Sequence, residues 1–466
     1  MEDQKIKKIH FIGIGGIGVS ALARYFLARG DEVSGSDAAE SEILEDLRRI
    51  GVKISTPKLP HPNPLLEKER GQETDLVIYS AAVKEDDPEL VEARRLGIKA
   101  QKYAEALGEI TKEKFTIAIS GTHGKSTTTA MVGLILEKAG LDPTVIVGTK
   151  MREWGNSNFR AGQSPSAKLG INDYLVIEAD EYDRSFLNYW PKMIILTNIE
   201  EDHLDTYPGG LPDILETFRR YISRLPEDGT LIVNEEDENI MELVQSSKLK
   251  VKSYSSKLKV KNLNLKVSGK HNFSNAMAAM TAARALGVED KISIEALNDF
   301  SGTWRRMEYK GEVNGAKIFD DYGHHPTEIK ATLEGARELL GKNPPQPPFL
   351  KGGEKLWCVF QPHQYHRTYD LFDKFVGAFG SADKLILLPI YSVAGREDEE
   401  IKKKVSSELL TKSLIASSES PDGKEIIYLE NFDKTAEYLK KNLAPGDLCL
   451  IMGAGDIYKL TSKLFK

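Results

Sequence analysis

The chain has 466 residues, 40% hydrophobic and 29% charged, and its 63 basic and 70 acidic residues leave a formal net charge of -7. This length exceeds the roughly 250 to 300 residues that one hydrophobic core sustains, and the composition excludes a disordered or membrane-embedded chain. The charge balance gives no general attraction for nucleic acid, and no uninterrupted apolar run reaches the roughly 18 residues of a membrane span.

From end to end, short apolar runs alternate with longer segments of helical period, the pattern of parallel sheets wound with helices, so the fold class is α/β. Three strand, loop and helix units open near Lys8, Phe115 and Leu356. Each is expected to nucleate its own mainly parallel sheet, which divides the chain into domains at 1–112, 113–302 and 303–466. The apolar stretch from Phe11 is broken by glycines and is read as part of the fold, not as a signal peptide. Cys358 and Cys449 sit inside apolar runs, which predicts buried free thiols and a cytoplasmic setting. The proline-rich segments Pro60 to Gln72 and Asn343 to Glu354 read as surface insertions, because proline neither pairs within a sheet nor continues a helix.

The first unit runs from a strand at Ile9 to Ile12, through Gly13-Ile14-Gly15-Gly16-Ile17-Gly18, into an amphipathic helix over Val19 to Ala28. Amides at a helix N-terminus suit a diphosphate, and Asp37 follows the second strand where an acid commonly meets a ribose hydroxyl. The pattern fits a dinucleotide and a nucleotide-sugar equally.

The second unit places Ser120-Gly121-Thr122-His123-Gly124-Lys125-Ser126-Thr127 between a strand at Phe115 to Ile119 and a helix that ends at Lys138. Glycines let successive amides face phosphate, a lysine reaches its outer oxygens and a hydroxyl holds magnesium, so a nucleoside triphosphate is expected. Ile119 stands where the strict motif has another glycine, which makes the loop a variant.

Two acidic clusters follow strands. One is Glu178-Ala179-Asp180-Glu181-Tyr182-Asp183, after Tyr174 to Ile177; the other runs from Thr197 to Asp205, after Met193 to Leu196. The C-terminal edge of an open parallel sheet is its ligand edge, so carboxylates and His203 there suit magnesium bridging phosphates. Glu181, Glu200 and Glu201 are read as solvated acids, whereas Glu178 directly ends an apolar strand.

Together these motifs resemble the Mur ligases, over nearly the whole chain. The resemblance also rests on Gly269-Lys270-His271-Asn272-Phe273-Ser274-Asn275, on Arg305-Arg306, on the run from Asp320 to Glu328, and on Gln361-Pro362-His363. His123 and the string Tyr322-Gly323-His324-His325-Pro326 point to the alanine-adding branch. The resemblance implies a UDP-sugar domain, a central ATPase and a Rossmann-like third domain that closes over the nucleotide. The implied reaction is ATP-driven ligation of L-alanine to UDP-N-acetylmuramate through an acyl phosphate in peptidoglycan synthesis, by a cytoplasmic monomer or weak homodimer.

By position, the resemblance assigns Gly13, Gly15, Gly16, Ile17, Gly18, Ser36, Asp37 and Ser80 to the UDP-sugar. It assigns Gly121, Thr122, His123, Gly124, Lys125, Ser126, Thr127, His271, Asn275, Arg305 and Asp320 to ATP. Ser126, Glu178 and His203 would hold magnesium (Mg2+, with manganese as a substitute), and Lys125, Glu178, His203, His324 and Arg306 would be catalytic. Tyr322, His324, His363 and Arg367 would line the amino-acid and muramoyl pocket. The chain departs from the family at Gln364 and His366, and Arg396 is the suggested replacement for an arginine missing at 364. Three rivals remain open at this point. An NAD-dependent dehydrogenase leaves the phosphate loop unexplained, an ATP-driven switch leaves the histidines of the third domain without a task, and a sister ligase would add a recycled peptide.

Overall fold

The computed structural model describes residues 6–57, 74–162, 173–245, 249–341, 354–392, 399–417 and 425–465. Both proline-rich insertions, apart from Glu354, and Arg396 lie outside the described residues. The described residues fold on three α/β sheets. In the first, Lys8–Ile12 (β1), Glu32–Ser36 (β2), Lys53–Ser55 (β3), Leu76–Tyr79 (β4) and Lys99–Lys102 (β5) pair in parallel in the order β3-β2-β1-β4-β5. The order reverses between β1 and β4, which opens a crevice beyond their C-terminal ends.

The second sheet has seven strands: Phe115–Ser120 (β6), Thr144–Met151 (β7), Ser157–Arg160 (β8), Tyr174–Glu178 (β9), Met193–Leu196 (β10), Thr230–Asn234 (β11) and Lys250–Tyr254 (β12). Their order is β12-β11-β10-β6-β9-β7-β8, with only β7 and β8 antiparallel. Strands β6, β9 and β10 are almost wholly buried, as parallel strands covered by helices on both faces must be.

The third sheet takes Glu308–Val313 (β13), Ala316–Asp321 (β14), Leu356–Phe360 (β15), Lys384–Leu387 (β16), Glu425–Tyr428 (β17) and Leu448–Met452 (β18) in the order β13-β14-β18-β15-β16-β17. Cys358 pairs with Leu450 and Trp357 with Cys449, so this one-residue offset sends the two buried thiols to opposite faces. Each thiol belongs to a separate apolar core, one on either side of the sheet.

The chain divides into two bodies. One comprises Met1–Glu200, Leu211–Leu263 and Asn275–Leu297, with the first two sheets; the other comprises Glu201–Gly210, Asn264–Ser274 and Asn298–Lys466, with the third. Strand β14 runs to Asp321, paired with β13 through Asp320 and with β18 through Asp321. Asp320 therefore lies within a strand. Among the described residues, no helix is long and apolar enough to cross a membrane.

Candidate active site

At the end of β1, Gly13 adopts φ +74, and the amides of Gly13 and Ile14 both donate to the Ser36 carbonyl, which folds the chain back into a tight loop. The helix Ile17–Ala28 then starts at Gly16 with no side-chain cap, so its first-turn amides face outward as an anion cradle requires. The Gly15 amide donates to Asp37 Oδ2 at 2.8 Å, and Ser80 lies against Gly13, so the ends of β1, β2 and β4 come together.

The Ser36 hydroxyl instead donates to Glu89 at 2.7 Å, and His10 Nε2 meets the same carboxylate at 3.1 Å. Asn158, on β8, donates to the Ile17 carbonyl and to the Ser20 hydroxyl at 2.6 and 2.8 Å. None of Glu89, His10 and Asn158 stands in a motif. Only the fold brings them beneath the loop.

In the second sheet β6 lies between β9 and β10, so the phosphate loop emerges between the two acidic segments. Gly121 (φ +131) and Gly124 (φ +81) hold it open; a Cβ on Gly121 would collide with Thr197 Oγ1. The loop is tied down from β10. Asn198 Oδ1 accepts the His123 amide at 2.8 Å, Thr197 Oγ1 donates to the His123 carbonyl at 2.6 Å, and Thr122 Oγ1 accepts the Glu200 amide at 2.8 Å. Asn275 packs against Gly124, and Thr127 is buried at the helix start.

Glu178 accepts hydrogen bonds from the Gly148 amide and the Ser126 hydroxyl, while burial pushes its carboxyl above the ordinary value. A hydroxyl and a carboxylate converging beside a phosphate loop fit a hard divalent cation. Lys125 Nζ donates to the Gly121 carbonyl at 2.7 Å and to Glu181 at 2.8 and 3.2 Å. Glu181 is thus no solvated acid. It is 3% exposed, because the Lys125 ammonium supplies the charge that lets a carboxylate be buried.

The second body holds the other predicted residues. Strands β14 and β15 flank β18, so the turns after them adjoin. The His324 ring lies 5.4 Å from that of Tyr322 and 5.9 Å from that of His363, and His363 stacks on Tyr391. His324 Nδ1 sits 3.1 Å from the Tyr322 carbonyl, which assigns its proton there and leaves Nε2 as an acceptor. Burial and the nearby Arg367 hold this imidazole well below its usual pKa, so it is neutral near pH 7.

Glu328, which the sequence reading gave no role, organises this turn. Its carboxylate accepts the amides of His324 and His325 and the Arg306 guanidinium, at 3.1, 3.4 and 3.2 Å. Gln364 adopts φ +71, a backbone conformation held by its amide on the Tyr391 carbonyl, and with His366 and Arg367 it lines a pocket shared with His203, Asp205 and Asp370. His203 itself has φ +53, and its amide donates to Asp202. Non-glycine residues at positive φ persist where surrounding structure over-determines them, often at functional sites.

Arg305 departs from expectation. Its side chain is 2% exposed, within 3.3 Å of Asp320, and donates to the Gly453 and Gly455 carbonyls. Asp320, 3% exposed, has its pKa pushed up to about 6 by burial, against the pull of Arg305. As arranged, these two residues pair with each other, whereas the Arg306 side chain, 30% exposed, pairs with Glu328. His271 folds over Gly269 at the start of the helix Lys270–Ala285, whereas Asn275, one turn later, belongs to the first body.

Asp202 was also passed over. It accepts from Arg367 Nε and Nη2 at 3.1 and 3.4 Å, both side chains are under 10% exposed, and Arg367 holds its carboxyl well below the usual range despite burial. Removing one member of a buried pair strands the other, so Asp202→Ala is expected to lower stability by about 3 to 5 kcal/mol. Urea unfolding checks this; a loss under about 1 kcal/mol, the scale of exposed pairs, contradicts it.

Residues 8–115 match the Mur ligase family catalytic domain, 119–265 the Mur ligase middle domain and 305–455 the Mur ligase glutamate ligase domain. The chain belongs to the Mur ligase family. Like other Mur ligases it is an ATP-dependent amide-bond-forming ligase. It is 38% identical over 494 residues to UDP-N-acetylmuramate–L-alanine ligase of Acetivibrio thermocellus, covering 100% of this chain and 97% of that one. The counterpart from Clostridium acetobutylicum is also 38% identical, over 97% and 96% of the two chains. The crystal structure of UDP-N-acetylmuramate-alanine ligase from Thermotoga maritima superposes with a TM-score of 0.76 at 27% identity, covering 98% of each chain. A murein peptide ligase from Psychrobacter arcticus, 24% identical with a TM-score of 0.67 over 98% of each chain, shares the fold of this Mur ligase.

Proposed function

We propose that this Mur ligase joins L-alanine to the lactyl carboxylate of UDP-N-acetylmuramate in the cytoplasm, for peptidoglycan precursor synthesis, releasing ADP and phosphate. The observation that carries the reading is full-length identity of 38% to relatives bearing that activity in their names. The phosphate loop and the neutral histidine turn support it chemically. The working division is a UDP-sugar domain at 1–112, an ATPase at 113–302 and a closing domain at 303–466, in a monomer or weak homodimer.

A carboxylate is a poor electrophile until one oxygen becomes a good leaving group. In this reading the γ-phosphoryl group passes to the lactyl carboxylate, giving an acyl phosphate and ADP. The amine of alanine then attacks the acyl carbon, and the tetrahedral intermediate expels phosphate. The loop of residues 13–18, through the uncapped helix start at Ile17 and Gly18, takes the UDP-sugar together with Asp37 and Ser80. Lys125 offsets charge developing on the transferred phosphoryl group. Ser126, Glu178 and His203 would hold magnesium, which supplies positive charge on the phosphate oxygens. His324 Nε2 takes the proton that the attacking amine loses.

The test is phosphate release from ATP and magnesium with UDP-N-acetylmuramate, comparing no amine, L-alanine, glycine, L-serine and a muropeptide tripeptide. Release that needs both the UDP-sugar and L-alanine, with a product heavier by one alanyl residue, is expected. Release with the tripeptide alone would assign the peptide-recycling activity instead, and release with none of the amines would sink the ligase reading.

A further inference from the structure

Lys125 is bound in an unusual way for a phosphate-gripping residue. Its ammonium has three protons, and each of its contacts lies within its own body: the Gly121 carbonyl at 2.7 Å, the Thr122 carbonyl at 3.3 Å and the Glu181 carboxylate at 2.8 Å. Asp180 adds a second carboxylate oxygen at 3.6 Å. The Lys125 and Glu181 side chains are 14% and 4% exposed, so this is a buried ion pair and not a surface contact. Burial alone would lower the lysine pKa, yet the two acids outweigh it and hold the ammonium charged.

We infer that Glu181 is the resident counter-ion of Lys125, a positioning residue that keeps the ammonium folded on its own loop and competes with nucleotide phosphate for it. The inference rests on the reading of residues 121–127 as the ATP loop. The Gly121 carbonyl and Glu181 hold Lys125 between them, and Glu181 lies three residues beyond the end of β9, which the pairing of Ile119 with Glu178 sets beside the β6 loop. A phosphate approaching Lys125 meets the negative charge of Glu181 and Asp180. Nucleotide binding must therefore exchange one anion for another on a single ammonium, and Glu181 sets how readily the exchange occurs. Glu178 has different partners, the Gly148 amide and the Ser126 hydroxyl, so the two glutamates of this segment divide their tasks.

The experiment measures ATP binding to the full chain by calorimetry, with excess EDTA so that no divalent ion screens the acids and no turnover occurs. Glu181→Gln keeps the shape and one acceptor but removes the charge. It is expected to bind metal-free ATP about tenfold more tightly than the unmodified enzyme, with a larger gain in melting temperature on adding ATP. Glu181→Asp keeps the charge but shortens the reach, and is expected to fall between the two; it decides the matter if the glutamine variant does not fold. A merely structural glutamate gives unchanged or weaker binding in both variants, which would overturn the inference. If the unmodified enzyme binds no ATP even with magnesium, the nucleotide-loop reading fails instead, so the two failures are distinguishable.

Discussion

Lys125→Ala is expected to reduce ligation by about a thousandfold or more, because the charge that develops on a transferred phosphoryl group loses its one loop ammonium. The structure sharpens this expectation. Lys125 begins the helix Lys125–Lys138, directly after Gly124 at φ +81, and bonds back to the Gly121 carbonyl, so no other lysine is placed to substitute from within the loop. UDP-sugar binding should be nearly unaffected, since Gly13, Gly15, Asp37 and Ser80 lie on the first sheet with their own hydrogen bonds. Steady-state ADP release and calorimetry with the UDP-sugar read the two quantities separately. Loss of both would show that the division of labour between the first two sheets is wrong.

His324→Ala is expected to lower the rate of amide formation by about a hundredfold or more, the usual contribution of a positioned general base. The neutral imidazole, with Nδ1 directed at the Tyr322 carbonyl, is the form that can accept a proton at Nε2. Phosphorylation of the carboxylate precedes attack by the amine, so a single-turnover burst of ADP should survive the substitution. Failure of the burst as well as of product formation would assign His324 a structural role. Its protonation also bears on stability. Because the folded-state pKa is depressed, the unfolded chain binds more protons as pH falls below about 6.5, and stability declines with falling pH in that window. In His324→Ala the decline should be shallower. An unchanged pH dependence of unfolding would contradict the assigned protonation state.

The sheets were legible in the sequence because parallel strands buried on both faces must read as apolar runs, and the glycine loops because only glycine adopts φ near +131 or +81 without strain. The strand at Met193–Leu196, the loops at 13–18 and 121–127 and the buried thiols all follow from such local requirements. What local pattern could not decide is which acid meets which base. Glu181 reads as a solvated residue in an acidic run, and only the alignment of β9 beside β6 turns it onto Lys125. Arg305 and Arg306 are adjacent and chemically identical, yet one is sealed against Asp320 while the other, partly exposed, pairs with Glu328. Asp202 and Arg367 stand 165 residues apart, and Glu89 reaches Ser36 across 53. A charge pair in a folded chain is set by the summed geometry of strand order and turn conformation, so backbone preferences belong to the sequence alone and the partners of buried charges belong to the tertiary structure.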